Sequence, residues 1–270
     1  MAQLNLKSLI SLVLVVFVGA ACSTSPTGRS QMVLKSEQEL AVESARQFAE
    51  MKANMPLETD RTKIDYIHCV AQAVVMELPP DYRELDWEMA IFQSDAVNAF
   101  AMPGGKIGVM TGILKAAQNQ DQLAAVIGHE IAHVTARHAN ERASRGSFSN
   151  VGVQVAAVLL GGGHQGATYS AYEALQAGAA LGIMLPFSRS QESEADVIGL
   201  EYMAKAGFDP RESVPLWQNM SQEAEEAPAE FLSTHPSSEK RIDQLVGQFG
   251  TTLKIYNEAK QAGKTPSCSM

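Results

Sequence analysis

The sequence predicts an α+β fold that is mostly helical, with a small antiparallel or mixed sheet beside a buried helix. Two stretches before residue 80 carry apolar positions at helical spacing. Residues 87–110 instead contain alternating apolar and polar positions and a turn sequence typical of a β-hairpin. Residues 121–145 form an apolar-periodic segment, and its residues 123–127, 131, 132 and 134 are apolar on nearly all sides of a helix, which is typical of a buried helix.

Length and charge limit the class of protein. The chain has 270 residues, of which 46% are hydrophobic and 19% charged, and its net charge is −9. Such a chain can bury a substantial core as one large domain or two intimate subdomains. The negative charge argues against nucleic acid as a partner.

The first 21 residues predict an export signal. An apolar run from Leu9 to Val18 follows a short polar start with Lys7, and small residues precede Cys22. The run is shorter than the ~20 apolar residues of a lasting membrane anchor. We therefore expect a signal peptide at 1–21 and a flexible polar tether at 22–35.

The residues around Cys22 resemble a bacterial lipoprotein processing site, which predicts lipidation of that cysteine. Gly19 departs from the usual Leu or Val three residues before the cysteine, so ordinary cleavage after Ala21 remains an alternative. Ser23 in place of Asp resembles the signal for outer-membrane delivery. The expected location is the periplasm of a bacterial cell envelope, at the inner face of the outer membrane.

The elements before the buried helix follow in order. Residues 36–55 and 60–78 predict two helices, the second ending at Pro79-Pro80. Residues 87–93 predict a strand, and residues 97–102 and 107–110 flank a Pro-Gly-Gly turn that predicts a hairpin.

The buried helix carries the pattern His129-Glu130-x-x-His133. Residues four apart lie ~40° apart around a helix, so both imidazoles can bind one metal ion. Glu130 lies ~100° from His129, where it can reach a water beside the metal as a general base. A solvated helix with two surface histidines is the alternative, but buried histidines need partners.

A second chemical stretch begins at Ser188 and continues as an amphipathic helix closed by Gly207. Glu192 and Asp196 share one face of this helix, so one can bind the metal while the other accepts a hydrogen bond from a ligand histidine. Glu194 should point elsewhere. A solvated acidic helix start is the alternative.

Three further features stay open at this point. His235 lies in a loop before Pro236 and can point into a cleft, although loop histidines are usually just exposed. His138 lies ~140° from the ligand face of a continuous helix, which favours a structural role. Cys69 and Cys268 can form a disulfide in an oxidising compartment.

Four ordered motifs together resemble the HtpX and CAAX prenyl protease family of gluzincin metallopeptidases. They are His-Glu-x-x-His, Glu192-x-x-x-Asp196, the strand from Asn98 to Ala101, and Thr234-His235-Pro236 followed by Arg241. The resemblance covers residues 36–249. It is strongest to the family's soluble bacterial envelope lipoproteins, typified by BepA and LoiP, and to mitochondrial Oma.

The resemblance implies a zincin-type metallopeptidase domain whose sheet borders the active-site cleft. It implies one zinc ion bound by His129, His133 and Glu192, with Glu130 as catalytic base. Asp196 and Arg241 would support the ligands. His235 would lie at the active site, as a catalytic residue or as a cap on the zinc.

The strand Asn98, Ala99, Phe100 and Ala101 is then expected to bind an extended substrate through its main chain, although a plain core hairpin is the alternative. The predicted domain covers residues 36–260, with a tail at 261–270. Expected partners are unfolded or misassembled envelope proteins and the membrane, through the lipid anchor. The competing function is a chaperone-like peptide-binding module with a structural zinc.

Overall fold

A computed structural model describes residues 22–146, 187–226, 230–235 and 239–270. The chain divides into two compact units, one of residues 1–36 with 139–184 and one of residues 37–138 with 185–270. The predicted signal peptide at 1–21 lies outside the described residues.

The first unit contains a two-stranded antiparallel sheet, β1 (Cys22–Thr24) and β2 (Ser30–Met32). Gly28, at φ +90°, closes the turn between the strands. Arg29 forms a two-pronged ion pair with the buried Glu141, at 2.9 and 2.7 Å. The segment predicted to be a flexible tether therefore contains regular structure, because a turn and a buried charge pair fix it.

The second unit holds the helices and the main sheet. Its elements in chain order are α1 (Glu37–Asn54), α2 (Arg61–Val75), α3 (Pro80–Arg83), β3 (Glu88–Phe92), β4 (Ala99–Met102), β5 (Lys106–Met110), α4 (Ile113–Ala116), α5 (Gln120–Thr135), α6 (Arg189–Lys205), a 3₁₀ turn (Pro210–Glu212), α7 (Ser213–Glu226), α8 (Glu230–Thr234) and α9 (Glu239–Gln261). A mostly helical α+β fold is confirmed.

Polar caps begin the helices near the site. Asn119 accepts from the backbone N–H of Gln122 at the start of α5, at 2.9 Å. Ser188 and Gln191 form a reciprocal capping box at the start of α6. Such caps satisfy backbone donors that a helix leaves unpaired, so they fix where each helix begins.

The buried helix is shorter than its apolar pattern predicts. Helix α5 ends at Thr135, and Arg137 adopts a left-handed conformation with φ 60° before residues 138–146 become helical again. A single continuous helix to residue 145 was therefore wrong. The break changes the direction of the His138 side chain relative to α5.

The main sheet has the strand order β3-β5-β4. Strand β3 runs parallel to β5 and β4 runs antiparallel to it, so the sheet is mixed and the predicted hairpin is confirmed. Within this three-stranded sheet β4 is an edge strand.

Helices α5 and α6 touch through their backbones at two glycines. A Cβ added at Gly199 would lie 2.8 Å from the backbone nitrogen of His129, and one added at Gly128 would lie 2.8 Å from the carbonyl oxygen of Gly199. Only glycine permits so close an approach. This contact brings the acidic residues of α6 beside the histidines of α5.

The C-terminal segment is attached to the second unit. Cys69 of α2 and Cys268 form a disulfide with 5.7 Å between their Cα atoms. Gln120 also bonds this segment, accepting from the N–H of Cys268 and donating to the carbonyl of Pro266. Among the described helices, none has both the length and the apolarity to cross a membrane.

Candidate metal centre

Four side chains from three parts of the second unit converge on one point. His129 and His133 come from α5, Glu192 from α6, and His235 directly follows α8. Each offers one ligand atom, and these atoms all lie within 4.8 Å of one another. All four side chains are buried.

The spacing of these atoms fits a single metal ion. The Nε2 atoms of His129 and His133 are 3.1 Å apart, and Nδ1 of His235 lies 3.2 Å from the first and 3.0 Å from Glu192 Oε1. Metal–nitrogen bonds of about 2.0–2.1 Å in a tetrahedron place ligand atoms roughly 3.3 Å apart. Three imidazoles and a carboxylate at this spacing are better explained as donors to one divalent cation than as hydrogen-bond partners of one another.

Asp196 and Arg241 contact the clustered side chains. Asp196 Oδ1 lies 3.1 Å from Nδ1 of His129, the nitrogen away from the cluster. The Arg241 guanidinium donates to Asp196 at 2.5 and 2.8 Å, and its Nη1 lies 2.7 Å from Glu192 Oε2. It also lies over the Trp217 ring, 3.8 Å from the centroid. One buried cation thus fixes the carboxylates of α6 beside the histidines.

Glu130 lies at the border between the cluster and the sheet. Its Oε1 is 3.4 Å from Nε2 of His235 and accepts no hydrogen bond within the described part of the chain. A backbone hydrogen bond from Ala101 of β4 reaches the same carboxylate. The edge strand and Glu130 are therefore in direct contact.

The register of β4 explains that contact. The carbonyl of Asn98 accepts from the N–H of Met110 in β5, at 3.1 Å. Because backbone groups alternate in direction along a strand, those of Ala99 and Ala101 point away from β5. The Phe100 side chain packs instead against Phe48 and Phe92. The strand therefore offers main-chain groups at its open edge and an aromatic side chain to the core.

His235 is enclosed by aromatic rings. It stacks on Phe231 with 4.5 Å between centroids and on Phe187 with 5.4 Å. The N–H of Phe231 donates to the carbonyl of Val97, at 3.2 Å, just before the edge strand. The segment that carries His235 is therefore bonded to the same edge that carries Ala101.

Two residues near the cluster were not predicted to take part. His138 Nδ1 lies 2.9 Å from Nδ1 of His133, and His138 Nε2 lies 3.1 Å from Glu194 Oε2. A continuous helix would direct His138 away from the cluster, but the break at Arg137 brings it beside His133. A helix break at a non-glycine residue leaves no clear signal in the sequence.

Burial and close contacts shift the pKa values of the clustered groups. Burial alone would lower the pKa of His129, but hydrogen bonds to Asp196 and Glu192 raise that pKa to about 9. Burial would raise the pKa of Glu192, but contacts with His129 and His235 outweigh it and lower that pKa. Burial raises the pKa of Glu130 and, with the neighbouring positive charges, lowers that of His133 well below its usual value.

Comparisons with known proteins point to a peptidase family. The sequence model of peptidase family M48 matches residues 62–248. The mitochondrial metalloendopeptidase OMA1 of Arabidopsis thaliana is 37% identical over 184 residues, covering 67% of this chain and 36% of that protein. OMA1 of Schizosaccharomyces pombe is 40% identical over 164 residues, covering 60% and 46% of the two chains.

A bacterial relative is similar over a comparable length. The beta-barrel assembly-enhancing protease of Escherichia coli is 29% identical over 198 residues, covering 72% of this chain and 40% of that protein. The chain thus spans less than half the length of these three relatives.

Proposed function

Because the chain belongs to peptidase family M48, we propose that it is a zinc-dependent endopeptidase. The observation that carries the proposal is the convergence of His129, His133 and Glu192 on one point with Glu130 beside them. Three protein ligands with an adjacent carboxylate are typical of a catalytic zinc site rather than a structural one.

The proposed chemistry assigns a task to each group. His129, His133 and Glu192 would hold zinc. When bound, zinc lowers the pKa of water to roughly 7 and polarises the carbonyl of the scissile bond. Glu130 accepts a proton from the attacking water and delivers it to the leaving amine. Its buried and unpaired Oε1 is suited to both transfers.

Substrate binding is assigned to the open edge of β4. An extended peptide could add to this edge as a further strand, bonding the main chain of Ala99 and the carbonyl of Ala101, whose N–H already bonds Glu130. Such binding recognises main-chain groups rather than side chains, so it favours unfolded segments of many sequences. The bond from Ala101 to Glu130 brings that edge next to the proposed base.

His235 has two candidate roles, one for each of its ring nitrogens. Its Nδ1 faces the cluster as a fourth donor, which would leave the site latent until the segment from Phe231 to His235 moves. Its Nε2, 3.4 Å from Glu130, could instead donate to the oxyanion that forms during hydrolysis.

We assign misfolded or unassembled envelope proteins as substrates and the cell envelope as the location. The name of the Escherichia coli relative, a beta-barrel assembly-enhancing protease, supports this assignment. The OMA1 relatives are mitochondrial, and the assignment therefore rests on the bacterial relative. The lipid anchor at Cys22, and through it the outer membrane, belongs to the same proposal.

A second candidate function is a chaperone-like module that holds extended chains and uses zinc structurally. The fourth donor, His235, favours it, because structural zinc sites have four protein ligands. A structural site has no use for a base, so Glu130 discriminates between the two functions.

The test compares wild type with Glu130→Gln in casein digestion and in bound zinc. An endopeptidase predicts digestion by the wild type, loss of at least ~10²-fold in the variant, and the same zinc content in both. Equal digestion by the two proteins, or none by either under several activating conditions, would refute the proposal. Binding of unfolded casein without cleavage would favour the chaperone-like function.

A further inference from the structure

His133 makes a contact on the side of its ring that faces away from the cluster. Its Nε2 faces His129 Nε2 at 3.1 Å, and its Nδ1 faces His138 Nδ1 at 2.9 Å. Since Nε2 must present a lone pair to bind a metal, Nδ1 must carry the proton and donate it.

That requirement fixes the proton on His138 as well. If His133 donates, Nδ1 of His138 must accept, and the proton of a neutral His138 must then be on Nε2. Nε2 lies 3.1 Å from Glu194 Oε2, which accepts as a carboxylate. One assignment of protons therefore satisfies all three groups.

From this arrangement we propose that His138 and Glu194 are positioning residues that fix His133 as a metal ligand, by a buried hydrogen-bond relay through the His138 ring. The inference rests on the proposed function, because it takes His133 to bind zinc. Ligand histidines commonly donate their second N–H to an acceptor that sets their tautomer.

Burial and backbone geometry both favour the relay. His138 is fully buried and Glu194 is 4% exposed, so water cannot replace either partner. Arg137 adopts φ 60°, an unfavourable conformation for a residue with a side chain, and this conformation places His138 next to His133. Its guanidinium donates to Glu37 at 2.8 Å, which helps to hold the break.

The two ligand histidines thus have different supports. His129 contacts the Asp196 carboxylate directly at 3.1 Å, and Arg241 neutralises that carboxylate. His133 reaches its carboxylate through an intervening imidazole. The intervening ring requires two hydrogen bonds to be aligned at once. Metal binding by His133 should therefore be sensitive to substitutions that keep the size of a relay side chain and alter only where its protons lie.

The test measures zinc affinity of the purified protein by competition with a chelating indicator, which requires no proteolysis. Glu194→Gln keeps the side-chain size but can donate to His138 Nε2, which permits the wrong tautomer. We expect the zinc dissociation constant to be 10–100-fold larger than that of the wild type. Glu201→Gln makes the same change at a half-exposed position of α6 and should stay within about twofold of wild type.

Changes at His138 separate positioning from packing. His138→Leu should lose as much zinc affinity as Glu194→Gln. His138→Asn keeps an acceptor next to His133 and should therefore lose less. In cobalt-substituted protein, the visible absorption bands should shift in Glu194→Gln and stay unchanged in Glu201→Gln.

Three results would decide against the relay or its basis. Wild-type zinc affinity in Glu194→Gln and His138→Leu would overturn it, even if the metal-free variants unfold more easily. Equal losses in His138→Asn and His138→Leu would also contradict it. A wild-type protein that binds no zinc would instead refute the proposed function on which the relay rests.

Discussion

Replacing Gly199 by alanine should move the acidic helix away from the histidine helix. The new Cβ would lie 2.8 Å from the backbone nitrogen of His129, about 0.6 Å short of the 3.4 Å at which ordinary contact begins. The neighbouring atoms, the carbonyl carbon of Gly128 and the Cα of His129, are also backbone and cannot rotate away. The helices must therefore separate at this point.

The expected cost combines two opposing effects. Overpacking of this kind costs about 1–3 kcal/mol. Alanine in a helix interior returns up to about 1 kcal/mol relative to glycine. We therefore expect a net destabilisation of up to roughly 2 kcal/mol. The shift should also displace Glu192 relative to His129 and weaken zinc binding by about tenfold or more.

Chemical denaturation and zinc competition measure the two effects separately. The control is Gly250→Ala in α9, where an added Cβ meets no atom within 4 Å. It should stabilise the protein by about 0.5–1 kcal/mol and leave zinc affinity unchanged. If Gly199→Ala matches wild type in both measurements, the glycine contact does not position the site.

Three other changes test the remaining proposals. His235→Ala should raise casein digestion if His235 caps the site and abolish it if His235 stabilises the oxyanion, whereas an unchanged rate would exclude both roles. Replacing Cys69 and Cys268 by serine should lower the free energy of unfolding by about 2–5 kcal/mol in denaturant titration, and an unchanged midpoint would show that the disulfide adds no stability. Cys22→Ala should move the protein from the membrane fraction to the soluble fraction of lysed cells, and retention in the membrane fraction would contradict lipid anchoring.

Helical periodicity was sufficient to predict which side chains share one face within α5 and within α6. The spacing of His129 and His133 placed both rings on one face of α5, and the same rule paired Glu192 with Asp196 on α6. These predictions depended on local geometry alone. Each lies within a single unbroken helix, where the rule applies.

The relay residues were missed because the rule was applied across a break. Extending one helix from residue 121 to residue 145 turned His138 away from His133, whereas Arg137 ends the helix and reverses that direction. Glu194 was expected to point elsewhere, and its carboxylate bonds His138. Its partner, His138, could not be found without the break.

Contacts between segments that are distant in the chain could also not be predicted from the sequence. Gly128 and Gly199 give no sign of their meeting, because a lone glycine within a helix has many explanations. The pairing of Cys69 with Cys268 depends on a distance that the sequence does not determine for two residues 199 positions apart. Likewise, the ion pair between Arg29 and Glu141 joins residues 112 positions apart.

The metal content and coordination sphere of the purified resting protein test the central claim most directly. Elemental analysis with X-ray absorption at the zinc edge should show one zinc per chain bound by nitrogen and oxygen atoms, and His129→Ala with His133→Ala should abolish it. Absence of zinc from the wild type, or full retention by the double variant, would contradict a zinc centre built on these histidines.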